Sequence, residues 1–292
     1  MEQISASMDS YKVVYLLIPL VLIFFNWGLE AWKWQLSVAP VHKISFFQSF
    51  KAVLSGVTFS VTMPNRVGEY LGRVVYLPEG SRLKTISVTL VGSFAQLLTT
   101  LLAGLAGLIV LKKQLLLHYT SMLVWYQFLL YGLMLVIVIM MFLYFNVKGT
   151  VPLFNRWFKN KKYLYLVEAL SEFKKNLLLK ILVISIARYF VFLLQYITLF
   201  YFFGVDIPAL TIAWLMTVVF LALAIIPSIS LIEPGLRGEV SLKLIGLFSS
   251  NSLGIGITSI MIWIINLVFP AIIGSLLLLN HRIFKRRENT QD

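Results

Sequence analysis

The chain alternates between long apolar runs and short polar stretches. The apolar runs recur at 13–30, 85–111, 115–145, 178–203, 208–227 and 252–279. Most of them supply the ~20 apolar residues that an α-helix needs to cross a hydrocarbon core. The first run continues into Trp27, Trp32 and Trp34, a pattern typical of an interfacial aromatic belt rather than of a cleaved signal peptide. We therefore predict an all-α polytopic membrane protein with about six membrane-spanning helices.

Two segments are each interrupted by a short charged stretch, which we call the breaker. They are 44–77 and 208–250, and the second of them begins with the apolar run 208–227. Each contains about nineteen apolar residues, the breaker, and then about a dozen more, which is too short for a second full crossing. The pattern predicts a re-entrant or broken-helix hairpin in each segment.

The two breakers resemble each other. PNRVGEYLGR (64–73) and PGLRGEVSLK (234–243) share a proline, a Gly-Glu pair and a final basic residue. Each copy interrupts its segment at the same place in a helix, hairpin, helix unit, and the two units enter from opposite sides. We interpret this as an inverted repeat, an arrangement that places substrate sites near the bilayer midplane.

The repeat divides a single transmembrane domain (1–292) into parts. The predicted parts are a first unit at 11–111, a connecting helix and basic segment at 115–180, a second unit at 181–280 and a basic tail at 281–292.

Basic residues are concentrated in particular loops. The loop holding Lys33, Lys43 and Lys51, the stretch 147–180 and the tail HRIFKRR are basic, whereas the loop with Asp206 has no basic residue. The positive-inside rule then predicts that the chain spans the cell (cytoplasmic or inner) membrane with its N-terminus outside and its C-terminus in the cytoplasm. The net charge of +13 is explained in this way, without a nucleic-acid partner.

Composition narrows the chemistry further. The chain is 59% hydrophobic and 13% charged, with a mean hydropathy of +0.88, and it has no cysteine and three histidines. Disulfides, thiolate metal sites and cysteine nucleophiles are therefore excluded. Nucleotide-binding glycine motifs are also missing, and we expect no cofactor and no metal.

The residues of the two charged breakers are the candidates for binding an anionic group. A helix that begins near Pro64, capped by Thr62 or Asn65, would direct a positive dipole end at an anion. Arg66 and Arg237 add planar forks suited to phosphate or carboxylate. Each charge costs about 2.5–3.5 kcal/mol at the bilayer centre, so these residues must pair with each other or line a hydrated cavity.

The breakers and one helix supply the predicted site. The substrate-binding residues are Arg66, Glu69, Arg73, Arg188, Arg237, Glu239 and Lys243, and the structural breakers are Pro64, Gly68, Pro234 and Gly238. Glu69 with Arg73, and Glu239 with Lys243, have the i, i+4 spacing of helical ion pairs.

Alternatives remain open for these residues. The charges can instead lie in surface loops, or form a purely structural ion-pair lock between the hairpins. Arg188 can snorkel to the cytoplasmic end of its helix. Glu233 can cap the second broken helix or pair with Arg237. Gln96, Asn251 and Asn266 fit helix-to-helix contacts better than substrate binding.

Three sequence elements resemble a known family. LEAWKWQLSV (29–38), MPNRVGE (63–69) and the later Pro-Gly turn with glutamate are similar to the transmembrane flippase-like region of lysylphosphatidylglycerol synthases, the multiple peptide resistance factors. The resemblance implies movement of aminoacylated phosphatidylglycerol between leaflets, while a separate C-terminal domain performs aminoacyl transfer. Because only a dozen or so residues follow the last predicted helix, we expect a stand-alone member without that transferase.

We therefore expect a non-enzymatic, flippase-like transporter. Its substrate would be an anionic or zwitterionic phospholipid or a polyprenyl-phosphate, whose headgroup crosses through a midplane polar cavity. The alternatives are a membrane-embedded lipid-linked transferase with a glutamate base and a non-transporting scaffold of an envelope lipid synthase. Membrane lipids are the expected partners, and a homo-oligomer or an envelope-synthesis partner is left open.

Overall fold

The computed structural model of the protein describes residues 10–61, 63, 67–118, 123–149, 169–227 and 231–288. Pro64, Arg66 and most of the predicted basic segment lie outside these residues. The described helices are α1 (Ser10–Val38), α2 (Phe46–Ser60), α3 (Gly68–Val74), α4 (Arg82–Val110), α5 (Lys112–His118), α6 (Leu123–Phe145), α7 (Lys175–Phe202), α8 (Ala209–Ile225), α9 (Glu233–Ile245), α10 (Ser252–Trp263) and α11 (Phe269–Glu288). A single π-helical turn, Ile264–Val268, joins α10 to α11.

The all-α polytopic architecture is confirmed. Five described helices are long and apolar enough to cross a membrane, namely Val13–Val38, Glu79–Val110, Leu123–Phe145, Lys175–Phe202 and Ser252–Asn280. The remaining apolar run, 208–227, forms α8, which has 17 residues and is therefore only about 26 Å long. This shorter helix belongs to a hairpin.

Two helix pairs occupy the predicted hairpin segments. Hairpin 1 is formed by α2 and α3, with 15 and 7 residues, and hairpin 2 by α8 and α9, with 17 and 13 residues. Helix α2 begins with a capping box, in which Ser45 and Gln48 exchange side-chain to backbone hydrogen bonds. Within each hairpin the two helices pack on each other.

The second helix of hairpin 1 begins later than the sequence predicted. It was expected to start near Pro64 with a side-chain cap, but α3 starts at Gly68, and Val67 at the N-cap position makes no side-chain cap hydrogen bond. In hairpin 2, α9 does begin at the breaker, with Pro234 in its first turn.

Close contact between the helices of hairpin 1 explains its glycines. A Cβ atom added at Gly72 would lie 2.5 Å from the Cα of Gly56, and one added at Gly56 would lie 2.7 Å from the carbonyl oxygen of Glu69. A Cβ at Gly68 would overlap the backbone of Phe59. Gly68 is thus required for close approach of two backbones, as small residues are in many membrane helix pairs.

Each hairpin packs against the last long helix of the other unit. Helix α2 packs on α11, where Thr58 Oγ1 donates to the carbonyl of Ala271 at 2.8 Å. Helix α8 packs on α4, where Leu221 fills the space beside Gly104. This exchange ties the two halves of the chain into one bundle.

The first helices of the two units pack along each other in opposite directions. Arg188 Nε of α7 donates to Asn26 Oδ1 of α1, and Gln195 Nε2 donates to the carbonyl oxygen of Pro19. The contact therefore moves toward the start of α1 as it moves toward the end of α7. Antiparallel first helices are what an inverted repeat requires, whereas the exact bounds of the units stay predictions.

Candidate functional site

A group of buried charges lies where α1, α3 and α7 meet. Glu30 of α1 is the centre of this group, because three cations contact its carboxylate. Lys33 Nζ lies 2.6 Å and Arg188 Nη1 2.9 Å from Oε2, while Arg73 Nη2 lies 2.9 Å from Oε1. A lysine and two arginines from three different helices thus share one carboxylate.

A second carboxylate completes this charge cluster, which we define as Glu30, Lys33, Glu69, Arg73 and Arg188. Glu69 Oε2 accepts from Arg73 Nη2 at 2.8 Å. Among the described residues three cations therefore face two carboxylates, and these five side chains together carry an excess of one positive charge. None of these side chains is more than 17% exposed, so water screens the excess weakly.

A cavity of about 310 Å³ lies beside the charge cluster. Its polar lining consists of Asn26, Gln96, Thr100, Arg188, Glu233, Arg237 and Asn266. Its aromatic lining consists of Trp27, Tyr189, Phe192, Phe220 and Trp263. The walls come from both repeat units, since hairpin 2 contributes α8 and α9 while α1 and α4 come from the first unit.

Arg188 belongs to both the cluster and the cavity. Besides its ion pair with Glu30, its Nε donates to Asn26 Oδ1 at 2.9 Å and its Nη1 lies 3.5 Å from Gln96 Oε1. Its guanidinium carbon lies 5.6 Å from the ring centroid of Trp27, within the range of a cation–π contact.

Arg237 of α9 is the second cavity arginine. Its Nη2 donates to Glu233 Oε2 at 3.0 Å, one turn earlier on the same helix, and its Nη1 lies 3.3 Å from the hydroxyl of Tyr196. Its guanidinium carbon lies 5.9 Å from the ring of Phe192. This ion pair is 14% and 17% exposed and is therefore far less hydrated than a surface pair.

A chain of hydrogen-bonded amides begins at Asn26, which accepts from Arg188. Asn26 Nδ2 donates to Asn266 Oδ1 at 2.7 Å, and Asn266 Nδ2 donates to Gln195 Oε1 at 3.1 Å. Asn266 lies on the π-helical turn, where Pro270 has no N–H to offer the carbonyl four residues earlier. π-helical turns of this kind are frequent at functional sites.

Two hydrogen-bond donors in the cavity wall have no acceptor in the part of the chain that the structure describes. Trp27 Nε1 and the Tyr189 hydroxyl are buried and lack a hydrogen-bond partner among the residues that the structure describes. A buried donor without an acceptor costs about 1–3 kcal/mol, so the cavity wall has hydrogen-bonding capacity that an acceptor-rich ligand would use.

The comparison with family models matches residues 1–274 to the lysylphosphatidylglycerol synthase TM region. The chain belongs to this family. The resemblance drawn from the sequence is thereby confirmed. No curated protein and no solved structure matches the chain.

The structure brings together part of the site predicted for this member of the lysylphosphatidylglycerol synthase TM region family. Glu69, Arg73 and Arg188 lie in the charge cluster and Arg237 lines the cavity. The i, i+4 pairings of Glu69 with Arg73 and of Glu233 with Arg237 are present. Arg66 lies outside the described residues.

Glu239 and Lys243 also pair, but away from the cavity. Their charged atoms are 2.8 Å apart, while the side chains are 64% and 71% exposed, and neither lines the cavity. Because each helical residue turns by about 100°, Glu239 lies roughly 120° around α9 from Glu233. Gly238, the predicted counterpart of Gly68, has open space where a Cβ would lie.

Sequence reasoning placed several residues of α1 incorrectly. Lys33 was assigned to a cytoplasmic loop and Trp27 and Trp34 to an interfacial belt, but all three side chains are at most 4% exposed inside the helix bundle. Trp34 Nε1 donates to Thr89 at 3.0 Å. The available signal was Glu30, a carboxylate three residues before Lys33 within an apolar run, which the sequence reading did not use.

The amide residues behaved as helix-to-helix contacts. Asn266 joins α1 to α7 as described above, and Asn251 Nδ2 donates to the carbonyl oxygens of Phe203 and Gly204, both at 2.9 Å. Gln96 and Asn266 in addition line the cavity. The side chains of Gln96 and Asn266 therefore both join helices and line the cavity.

Proposed function

We propose that the protein is a flippase-like transporter, which carries a phosphate-bearing lipid headgroup through the cavity while the acyl chains stay in the bilayer. The observation that supports this most is the cavity itself, where Arg188 and Arg237 face one space beside a cluster with one excess positive charge. Arginine forks are well suited to the oxygens of a phosphate group.

The cost of the buried charges favours a functional role. The three cluster cations and Arg237 lie in a chain whose composition places it in a membrane, where each charge costs about 2.5–3.5 kcal/mol at the centre on insertion scales. Ion pairing offsets much of this cost, but it does not account for the excess cation. A ligand with one negative charge would neutralise it.

The size of the cavity fits a headgroup rather than a whole lipid. Its volume of about 310 Å³ is at the lower end for small-molecule sites. The donors of Trp27 and Tyr189, which lack a hydrogen-bond partner among the described residues, add capacity for acceptor oxygens. These features favour a phosphodiester headgroup, with the acyl chains outside.

The arrangement of the helices supports movement. Two antiparallel units with exchanged hairpins surround one central cavity, and inverted repeats of this kind support alternating access in known transporters. Catalysis is less well supported, because the cavity carboxylate Glu233 is paired with Arg237 and an arginine partner disfavours proton uptake by a general base.

Two variants test the proposal without leaving a lone buried charge. Arg188→Gln removes the excess cation, and Glu30 keeps Lys33 and Arg73. The double variant Glu233→Gln with Arg237→Gln removes one ion pair as a unit. In proteoliposomes of phosphatidylcholine with fluorescent phosphatidylglycerol, quenched by dithionite, both should lose most protein-dependent movement of the phosphatidylglycerol.

The matched control is Glu79→Gln, a carboxylate that is 84% exposed and does not line the cavity. It should move lipid like the unmodified chain. If folded, monodisperse Arg188→Gln and the double variant both move phosphatidylglycerol at the unmodified rate, the transport proposal fails.

We also propose that the chain spans the cell membrane with its N-terminus outside the cell and its C-terminus in the cytoplasm. The chain has no cysteine, so a single cysteine introduced at either end is a unique label. In intact cells a membrane-impermeant maleimide should modify the N-terminal cysteine alone. Labelling of the C-terminal cysteine alone would reverse the orientation.

A further inference from the structure

Glu30 and a bound headgroup would compete for the same cation. Arg188 Nη1 lies 2.9 Å from Glu30 Oε2, while Arg188 also lines the cavity that would receive the phosphate. We infer that Glu30 is the release residue of this site, a carboxylate that draws Arg188 back from the ligand and so allows the headgroup to leave. This inference rests on the proposed transport function.

The contacts of Glu30 allow such an exchange. If Arg188 turns toward a ligand, Glu30 still has Lys33 at 2.6 Å and Arg73 at 2.9 Å. The carboxylate is therefore not left as an unpaired buried charge, which would be strongly unfavourable. When the ligand leaves, Arg188 regains a partner at 2.9 Å. In both states Glu30 and Arg188 each have a partner of opposite charge.

The other described contacts of Arg188 do not supply this competition. Asn26 and Gln96, the other described partners of Arg188, are neutral amides, which orient the guanidinium without opposing an anion. Glu233 is paired with Arg237 on hairpin 2. Among the described residues, Glu30 is the carboxylate that contacts Arg188.

The charge balance gives the inference a distinctive consequence. With Glu30 ionised, the cluster has an excess of one positive charge, and with a neutral residue at this position the excess becomes two. An anionic headgroup should then bind more tightly and leave more slowly. A residue with a purely structural role would instead weaken binding and movement together.

The experiment compares affinity with rate in Glu30→Gln. Native mass spectrometry of the full chain titrated with phosphatidylglycerol gives the affinity, and the dithionite assay gives the rate. We expect the Kd to fall about tenfold, as for loss of a close competing charge, and the rate of movement to fall as well. Phosphatidylcholine, whose headgroup has no net charge, should gain less affinity.

A second variant guards against misfolding caused by three neighbouring cations. Glu30→Gln combined with Lys33→Met removes one charge of each sign, so the cluster keeps its excess of one while Arg188 loses its competitor. This double variant should also bind phosphatidylglycerol more tightly and move it more slowly, by smaller factors. Glu79→Gln is again the control.

The outcomes separate the two proposals. If Arg188→Gln abolishes binding but a folded Glu30 variant binds phosphatidylglycerol no more tightly, or tightens equally for phosphatidylcholine, only the release role of Glu30 is overturned. Loss of fold in both Glu30 variants would make Glu30 a structural counter-ion and would overturn it too. If Arg188→Gln itself binds and moves lipid normally, the transport function fails as well.

Discussion

The two hairpins carry the same local ion pair in opposite surroundings. Glu69 and Arg73 of hairpin 1 are separated by 2.8 Å, as are Glu239 and Lys243 of hairpin 2. The first pair is 17% and 5% exposed, whereas the second is 64% and 71% exposed. The same i, i+4 spacing therefore gives an ion pair of the same length in both hairpins, but the pair is buried in hairpin 1 and exposed in hairpin 2.

The packing of each hairpin explains the difference. In hairpin 1, α3 has seven residues and its glycines contact the backbone of α2, so Arg73 is held against Glu30. In hairpin 2, α9 is longer and its glycine Gly238 meets open space, while Arg237 faces the cavity. We conclude that hairpin 1 supports the charge cluster and that hairpin 2 presents an arginine to the cavity.

Removing Arg73 should have the largest effect on stability. In Arg73→Gln the cation that joins two buried carboxylates is lost, and breaking a buried pair in this way costs about 3–5 kcal/mol. Thermal unfolding in detergent should show a large fall in the midpoint, whereas Lys243→Gln, its counterpart in hairpin 2, should unfold at the temperature of the unmodified chain. Equal midpoints for the two variants would remove the contrast between the hairpins.

The next largest effect is expected for a methyl group at the contact between α2 and α3. A Cβ at residue 72 would lie 2.5 Å from the Cα of Gly56 and 2.6 Å from the carbonyl oxygen of Ser55, and backbone atoms cannot rotate away. Gly72→Ala should therefore separate the two helices at a cost of about 1–3 kcal/mol. The same unfolding measurement checks this, and a midpoint unchanged by the substitution would contradict the close packing.

The features of this site that the sequence predicted are those set by local periodicity. Long apolar runs predicted the spanning helices, and i, i+4 spacing predicted the pairs at residues 69 and 73 and at 239 and 243. Positions along one helix fix such contacts whatever surrounds the helix. The breaks within the two hairpins were also predictable from local sequence, because proline, glycine and charged residues interrupt an apolar run there.

The features that depend on distant partners were missed. Glu30 gains its meaning from Arg73 and Arg188, which come from two other helices, and a single lysine near a helix end fits the positive-inside rule equally well. The position of Glu239 outside the cavity was not predicted, because a four-letter match does not specify which face of α9 turns toward the cavity. That orientation depends on tertiary packing.

A smaller effect of opposite sign is expected at the glycine of hairpin 2. Outside the neighbouring backbone of its own helix, no atom of the described residues lies within 4 Å of the position that a Cβ at residue 238 would take, and this residue lies within a helix. Gly238→Ala should therefore keep or raise stability, by at most about 1 kcal/mol, since alanine favours the helix. A fall in the unfolding midpoint comparable to that of Gly72→Ala would show that hairpin 2 is packed as tightly as hairpin 1.

The smallest effect is expected for the exposed pair of hairpin 2. A lipid-facing ion pair would be costly, so we expect the side chains of Glu239 and Lys243 to face water or headgroups, where ion pairs contribute little. Glu239→Gln combined with Lys243→Gln should leave both the unfolding midpoint and phosphatidylglycerol movement unchanged. Higher stability in the double variant would place this face of α9 in the hydrocarbon. Loss of phosphatidylglycerol movement without loss of stability would instead show that Glu239 and Lys243 belong to the site. The two ion pairs of α9, Glu233 with Arg237 and Glu239 with Lys243, would then not differ in function.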